Sequence, residues 1–279
     1  MLDIIIDSFL DTLKILPYLL ITFLLLEYME HKLGNKSTKI LSKNKKVGPL
    51  FGGILGGIPQ CGFSVAASRL FSSRVITIGT LISVYLATSD EMLPIMISEK
   101  ADPILIIKII GFKILIGIII GFIIDLIYKR KEEKVNEIKD ICEEEHCSCN
   151  EKGIILSSIT HTLKIGLFIL IANLLIGFVI SLVGEEKLGN ILLEKNILTY
   201  FLSSLVGLIP NCASSVVITE LYLSGLITTG TLMSGLLTGS GLGILLLFKT
   251  NKNIKENILI LSIIYLVGVI VGIIIDLII

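Results

Sequence analysis

Tryptophan is missing from this chain, aromatic residues make up only 6%, and histidine occurs three times. Any aromatic belt at a bilayer surface must therefore rest on tyrosine, with lysine beside it. Net charge is zero, so no excess of positive charge points to nucleic acid. Walker A, dinucleotide-fingerprint, HExxH and G-x-S-x-G patterns are all absent. A nucleotide-driven pump would need a separate ATPase, and no nucleophile–base set for an enzyme can be assembled. Five cysteines, at 61, 142, 147, 149 and 212, are an odd number and do not suit a disulfide framework. The N-terminus opens with Asp3, Asp7 and Asp11 instead of a basic leader, so it reads as a mature span.

Apolar residues are what the chain has in excess: 53% are hydrophobic and the mean hydropathy is +0.90. They come in blocks such as Ile15–Leu26, Ile104–Ile124, Ile165–Val183 and Ile258–Ile279. A helix needs about 20 apolar residues to cross roughly 30 Å of hydrocarbon. A chain of 279 residues cannot bury that many apolar helices from water. The expected class is an all-α integral membrane protein.

A duplication organises the whole sequence. Ile58–Ser89 aligns without gaps on Ile209–Ser240, with 15 identities in 32 positions at an offset of 151. Pro59/Pro210, Cys61/Cys212, Ser64/Ser215, Gly79/Gly230 and Ser89/Ser240 are among the identical pairs. Thr12–Ile15 matches Thr162–Ile165 upstream, and Gly117–Ile127 matches Gly268–Ile278 downstream. Three units follow: residues 1–128, a charged Cys/His linker at 129–152, and residues 153–279.

Lysine bias orients these halves. Residues 31–47 carry six lysines and no acid, 129–134 are basic, and 249–257 hold three lysines and one glutamate. All three are expected on the cytoplasmic side; 98–103 and 184–196 are not basic and suit the outside. An even number of crossings must then separate 31–47 from 129. The stretches 75–97 and 104–128 supply two. Residues 48–72 must therefore enter and return on one side, with arms of about 16 Å each. Each half becomes one span, a re-entrant helical hairpin, a broken span and a further span. Three crossings per half invert the second half, giving two inverted-topology repeats in an inner membrane, linker cytoplasmic and both termini outside.

Paired broken elements in inverted repeats mark secondary carriers, with the site near the midplane. Irregular backbone at that depth is tolerated only where it is buried in protein or lines a polar cavity. The candidate substrate groups are therefore the hairpin tips and the span interruptions. They are Pro59, Gln60, Cys61 and Ser64 with Pro210, Asn211, Cys212 and Ser215, and Thr88, Ser89, Asp90 and Glu91 with Thr238 and Ser240. Cysteine thiolates suit thiophilic ions, although a small residue at a tight tip needs no ligand role. Asp90 and Glu91 sit mid-span, where an ionisable residue is a functional candidate, either as a proton carrier or paired with a lysine such as Lys113 or Lys14. Lys14 and Lys164 match across the repeat and are candidates for coupling; snorkelling to the interface is the plainer fate. Asp125 and Asp276, near helix ends, read as structural. In the linker, Cys142, His146, Cys147 and Cys149 offer four donors within eight residues for a thiophilic metal. No tightly bound cofactor is expected.

The paired IPQC…TSDE and IPNC…TGSG segments, the duplication and the Cys/His linker resemble the ten-helix heavy-metal exporter family. Its members carry labels such as arsenic efflux permease and manganese transporter. The resemblance implies efflux of a metal or metalloid by a proton- or potential-coupled carrier, and maps the hairpin motifs onto Pro59–Cys61 and Pro210–Cys212. A linker with one histidine fits manganese poorly, because hard Mn²⁺ prefers oxygen ligands. The rival readings are an organic-anion carrier of the ion-transporter-superfamily type and a non-transporting membrane metal sensor. The expected partners are the lipid bilayer and a small inorganic ion, with no nucleic acid; a homodimer is one assembly the chain admits.

Overall fold

The computed structural model describes residues 6, 9–10, 12–13, 16–17, 20–21, 24, 47–58, 61–89, 92–128, 155–156, 158–160, 162–164, 166–167, 170–171, 174–175, 178 and 197–278. Among the described residues all regular structure is helical. In the first half α1 covers Gly48–Gly56, α2 Cys61–Ser72, α3 Ile78–Ala87, α4 Met92–Ser98 and α5 Pro103–Ile127. In the second half α6 covers Ile197–Gly207, α7 Cys212–Leu223, α8 Thr229–Thr238, α9 Gly243–Thr250 and α10 Ile254–Ile278. Three of the five helices in each half begin and end at positions offset by 151, as the sequence repeat requires; in that register α9 runs one residue longer than α4, and α6 starts two residues earlier than α1.

Helix ends follow local chemistry. Thr77 accepts the amide of Thr80 and caps α3; Thr228 accepts that of Thr231 and caps α8. Asp102 caps α5, whose first residue is Pro103, a favoured opening pair. The interruptions expected at 88–91 and 238–241 are real breaks: α3 stops at Ala87 before α4 begins at Met92, and α8 stops at Thr238 before α9 begins at Gly243.

Among the described residues four stretches are long and apolar enough to cross a membrane: Ile78–Ser98, Pro103–Ile127, Thr229–Thr250 and Ile254–Ile278. At 25 residues, α5 and α10 are each about 37 Å long, enough for a tilted crossing. They expose Ile107, Leu115, Ile119, Leu126, Ile258, Leu266, Ile270 and Leu277, apolar surface that lipid covers without penalty. By contrast α3 is buried all round, and nearly all of α8 is too.

Small residues allow this burial. Gly117, Gly121 and Asp125 lie four apart along α5, and Gly121 approaches Gly79 of α3 so closely that an added Cβ would stand 2.6 Å from the Gly79 carbonyl. Gly272 of α10 meets Gly230 of α8 in the same way, also at 2.6 Å. Small-xxx-small faces of this kind bring backbones together where lipid offers no hydrophobic drive. Contacts between halves are exchanged: α2 packs on α9, α7 packs on α4, and α3 touches α8 at the centre.

Candidate functional site

The two breaks and the turn before α7 face one another across the centre. Thr88 ends α3; its N–H and hydroxyl both turn back to the Val84 carbonyl, at 3.0 and 2.8 Å. Its own carbonyl is thereby left at the helix end, one of the orphan acceptors every helix has there. In α8 the equivalent ladder also stops. The Ser240 amide, which would continue it to Leu236, instead bonds Thr238 at 2.9 Å. Both freed carbonyls have one partner: Lys113 of α5, 1% exposed, donates from Nζ to Thr88 and, at 2.7 Å, to Leu236. This ammonium therefore ties together the ends of two broken helices, one from each half.

Beside it lies a cavity of about 20 Å³, reached by Thr88, Ser89 and Met92 from the first half and by Asn211, Ser214 and Ser215 from the second. A single water needs roughly 10–15 Å³, so this space suits one water-sized guest. Asn211 sits in a tight turn whose amide bonds the Ile209 carbonyl at 2.7 Å, and Ser214 returns to the Asn211 carbonyl at 2.9 Å. The turn presents the N-terminus of α7 to the cavity. The walls so combine an ammonium, an amide, hydroxyls and a helix N-terminus with apolar Met92 and Leu242.

Of the residues singled out in the sequence, Thr88, Ser89, Asn211 and Ser215 meet at this cavity. Thr238 is buried beside it and spends its hydroxyl on the Ser234 and Gly235 carbonyls, at 3.1 and 2.8 Å. Ser240 is buried with its hydroxyl unpaired among the described residues. Ser64 is also buried, but against Gly243 of α9, where an added Cβ would stand 2.8 Å from it. Pro210 is half-buried before the α7 turn, Cys61 and Cys212 are the first residues of α2 and α7, and Lys164 is exposed. Pro59, Gln60, Asp90, Glu91, Lys14, Cys142, His146, Cys147 and Cys149 lie outside the described residues.

Two features escaped the sequence reading. Lys113 entered it only as a counter-charge for Asp90 or Glu91, although a lysine in the middle of an apolar span is itself a functional candidate. Asp125 and Asp276 are more than wetted helix ends: each carboxylate caps a neighbouring helix, accepting from Thr77 and Gly79 or from Thr228 and Gly230.

Compared with known families, residues 1–185 match the family described as "Putative, 10TM heavy-metal exporter", about two thirds of the chain. No curated relative and no solved structure matches.

Proposed function

We infer that this chain, which belongs to the ten-transmembrane heavy-metal exporter family, is a secondary-active carrier that moves a metal or metalloid ion out of the cell. It is a multi-pass membrane protein, and its apolar spans and family agree on that. The observation that carries the reading is the family match over residues 1–185, and the small polar cavity between the two breaks gives an inorganic ion a place to bind.

Inverted repeats supply the mechanism we assign. Ser72 at the end of α2 lies 2.6 Å, hydroxyl to hydroxyl, from Thr250 at the end of α9, and Arg74 Nη1 donates to Glu256 Oε2 at 3.0 Å. Those contacts bring the turn after α2 to the same end of the molecule as the lysine-rich turn between α9 and α10. Parallel halves, with 48–72 crossing fully, would separate the two turns by a membrane thickness. The arms point the same way: α1 and α2 span about 14 and 18 Å, too short for a crossing. Alternating access then follows from one half rocking against the other around the cavity. Cys61 and Cys212, opening α2 and α7, are the proposed soft ligands, and Asp90 and Glu91, next to Ser89 and Met92, the proposed coupling carboxylates. Lys14 and Lys164 are assigned to coupling as well, and Cys142, His146, Cys147 and Cys149 to a cytoplasmic metal site that is not needed for transport.

A panel of toxicity and cell content decides the cargo. Arsenite, an organoarsenical, manganese, zinc, cadmium and copper are each given to a host lacking its own exporters, with and without the chain. Lower cell content of at least one is expected; no change for any would sink the reading. Asp90→Asn and Glu91→Gln should change its pH dependence, singly or together. An organic-anion carrier is the second reading, and the Lys113 ammonium in the cavity wall favours it. Cys61→Ser with Cys212→Ser separates the two, since an anion carrier should survive that change and a thiol-ligated one should not.

A further inference from the structure

Lys113 stands in α5 where the repeat places Ile264 in α10, and that isoleucine is fully buried. An apolar side chain therefore meets the packing need of this position in the second half. The first half instead carries an ammonium to the same depth, although removing a cation from water is costly. Two main-chain carbonyls are among the groups that receive it. The Thr88 carbonyl belongs to the C-cap of α3, and the Leu236 carbonyl to the last turn of α8, where the chain has turned away from the helical ladder.

The carboxyl ends of helices carry partial negative charge. Half-helix ends and unwound carbonyls of this kind are where secondary carriers hold a monovalent coupling cation. The geometry points to Lys113 as a tethered cation: its ammonium permanently fills a monovalent cation site made of main-chain carbonyls from both halves. An ammonium and a potassium ion have similar radii, so one can substitute for the other in such a cage. The chain then needs no sodium or potassium at this position, whatever its cargo. Removing the side chain while keeping the two breaks should turn the position into a site that takes its cation from solution.

The test uses the full chain purified in detergent and reads its thermal unfolding midpoint. Sodium, potassium, methylammonium and N-methyl-D-glucamine chlorides are compared at equal ionic strength. Wild type should have the same midpoint in all four. Lys113→Ala should be less stable in N-methyl-D-glucamine and regain about 3 °C or more in sodium, potassium or methylammonium, the shift a cation several-fold above its Kd would give. Lys113→Met fills the space with an apolar chain of similar length and should show no recovery. A wild-type midpoint that depends on sodium or potassium overturns the proposal, and so does a folded Lys113→Ala that none of the small cations stabilises. If Lys113→Ala is not recovered folded, the wild-type series decides alone, independence supporting the tethered cation and dependence overturning it. No cargo is measured, so failure here is distinct from failure of the exporter reading.

Discussion

The Gly79 N–H donates to Asp125 Oδ1 at 2.9 Å, joining the first turn of α3 to the last turns of α5. The other carboxylate oxygen accepts the hydroxyl of Thr77 at 2.7 Å, and Thr77 in turn accepts the Thr80 amide at 3.1 Å. One carboxylate thus completes the cap of a helix 46 residues back in the chain. The second half repeats every bond: Gly230 and Thr228 donate to Asp276, with the Tyr200 hydroxyl added at 2.8 Å. Caps of this strength hold the starts of α3 and α8 in place, and these are the helices whose far ends form the cavity.

Removing either carboxylate should destabilise the protein. Asp125→Ala leaves the Gly79 amide without its acceptor and deletes a charge-assisted bond, a loss of about 2 kcal/mol. Asp276→Ala should lose more, because Tyr200 is stranded as well. Among the described residues the two sites share no partner, so the double variant should lose the sum. Thermal unfolding in detergent checks this; a smaller loss at Asp276 than at Asp125 would contradict the assignment of Tyr200.

The glycines at the crossings give a second expectation. A Cβ at Gly79 would strike the Gly121 carbonyl and the Asp125 carboxylate, and one at Gly230 the Gly272 carbonyl and Asp276. Backbone cannot yield as a flexible side chain can, so Gly79→Ala and Gly230→Ala should each lose about 1–3 kcal/mol by overpacking. Gly111, exposed on α5 with nothing within 4 Å of its would-be Cβ, is the control. Gly111→Ala should be neutral or gain up to about 1 kcal/mol from helix propensity. Folded yield and unfolding midpoint measure all three.

These residues also show what the sequence could and could not reveal. The breaks at 88–91 and 238–241 were legible because polar residues interrupt an apolar span twice at one offset, and the structure ends helices there. The meeting of Thr88, Ser89, Asn211 and Ser215 was legible for the same reason. The bonds from Lys113 to Thr88 and Leu236 were not, because these two acceptors are main-chain carbonyls freed by breaks on two other helices. Every residue carries a carbonyl, so no side-chain pattern marks those two. The caps by Asp125 and Asp276 did leave a trace: a threonine precedes each aspartate by 48 residues in both halves. That spacing becomes meaningful only once α3 and α5 are known to pack together.

The proposed opposed orientation of the halves is tested by labelling at the two membrane faces. Ser98, Ser224 and Asn253 are exposed at helix ends. Single cysteines at these positions, in a chain lacking its native cysteines, should divide two against one. Ser98→Cys and Ser224→Cys should react with an impermeant maleimide from outside, and Asn253→Cys only after permeabilisation. Parallel halves would place 98 and 224 on opposite faces, so labelling of those two from different sides would defeat the inverted reading.

Alternating access makes a sharper demand on the contact between Ser72 and Thr250. The two hydroxyls lie 2.6 Å apart across the boundary between the halves, beside the Arg74–Glu256 ion pair. If the halves must part at this end to release or admit the ion, a bond there should hold the carrier in one state. Two sulfurs at these positions fall within easy reach of a disulfide of about 2.05 Å. Ser72→Cys with Thr250→Cys, in a chain that keeps Cys61 and Cys212 and lacks Cys142, Cys147 and Cys149, should therefore transport when reduced, stop when oxidised, and recover on reduction. Either single variant should ignore the oxidant. Arg74→Ala should act in the opposite sense, removing the guanidinium from the buried Glu256 carboxylate and shifting the chain towards the state open at this end. Cysteines introduced along that opening should then label faster than in the parent. A cross-linked chain that transports at the reduced rate would show that this interface stays shut through the cycle, and the motion would have to be sought elsewhere.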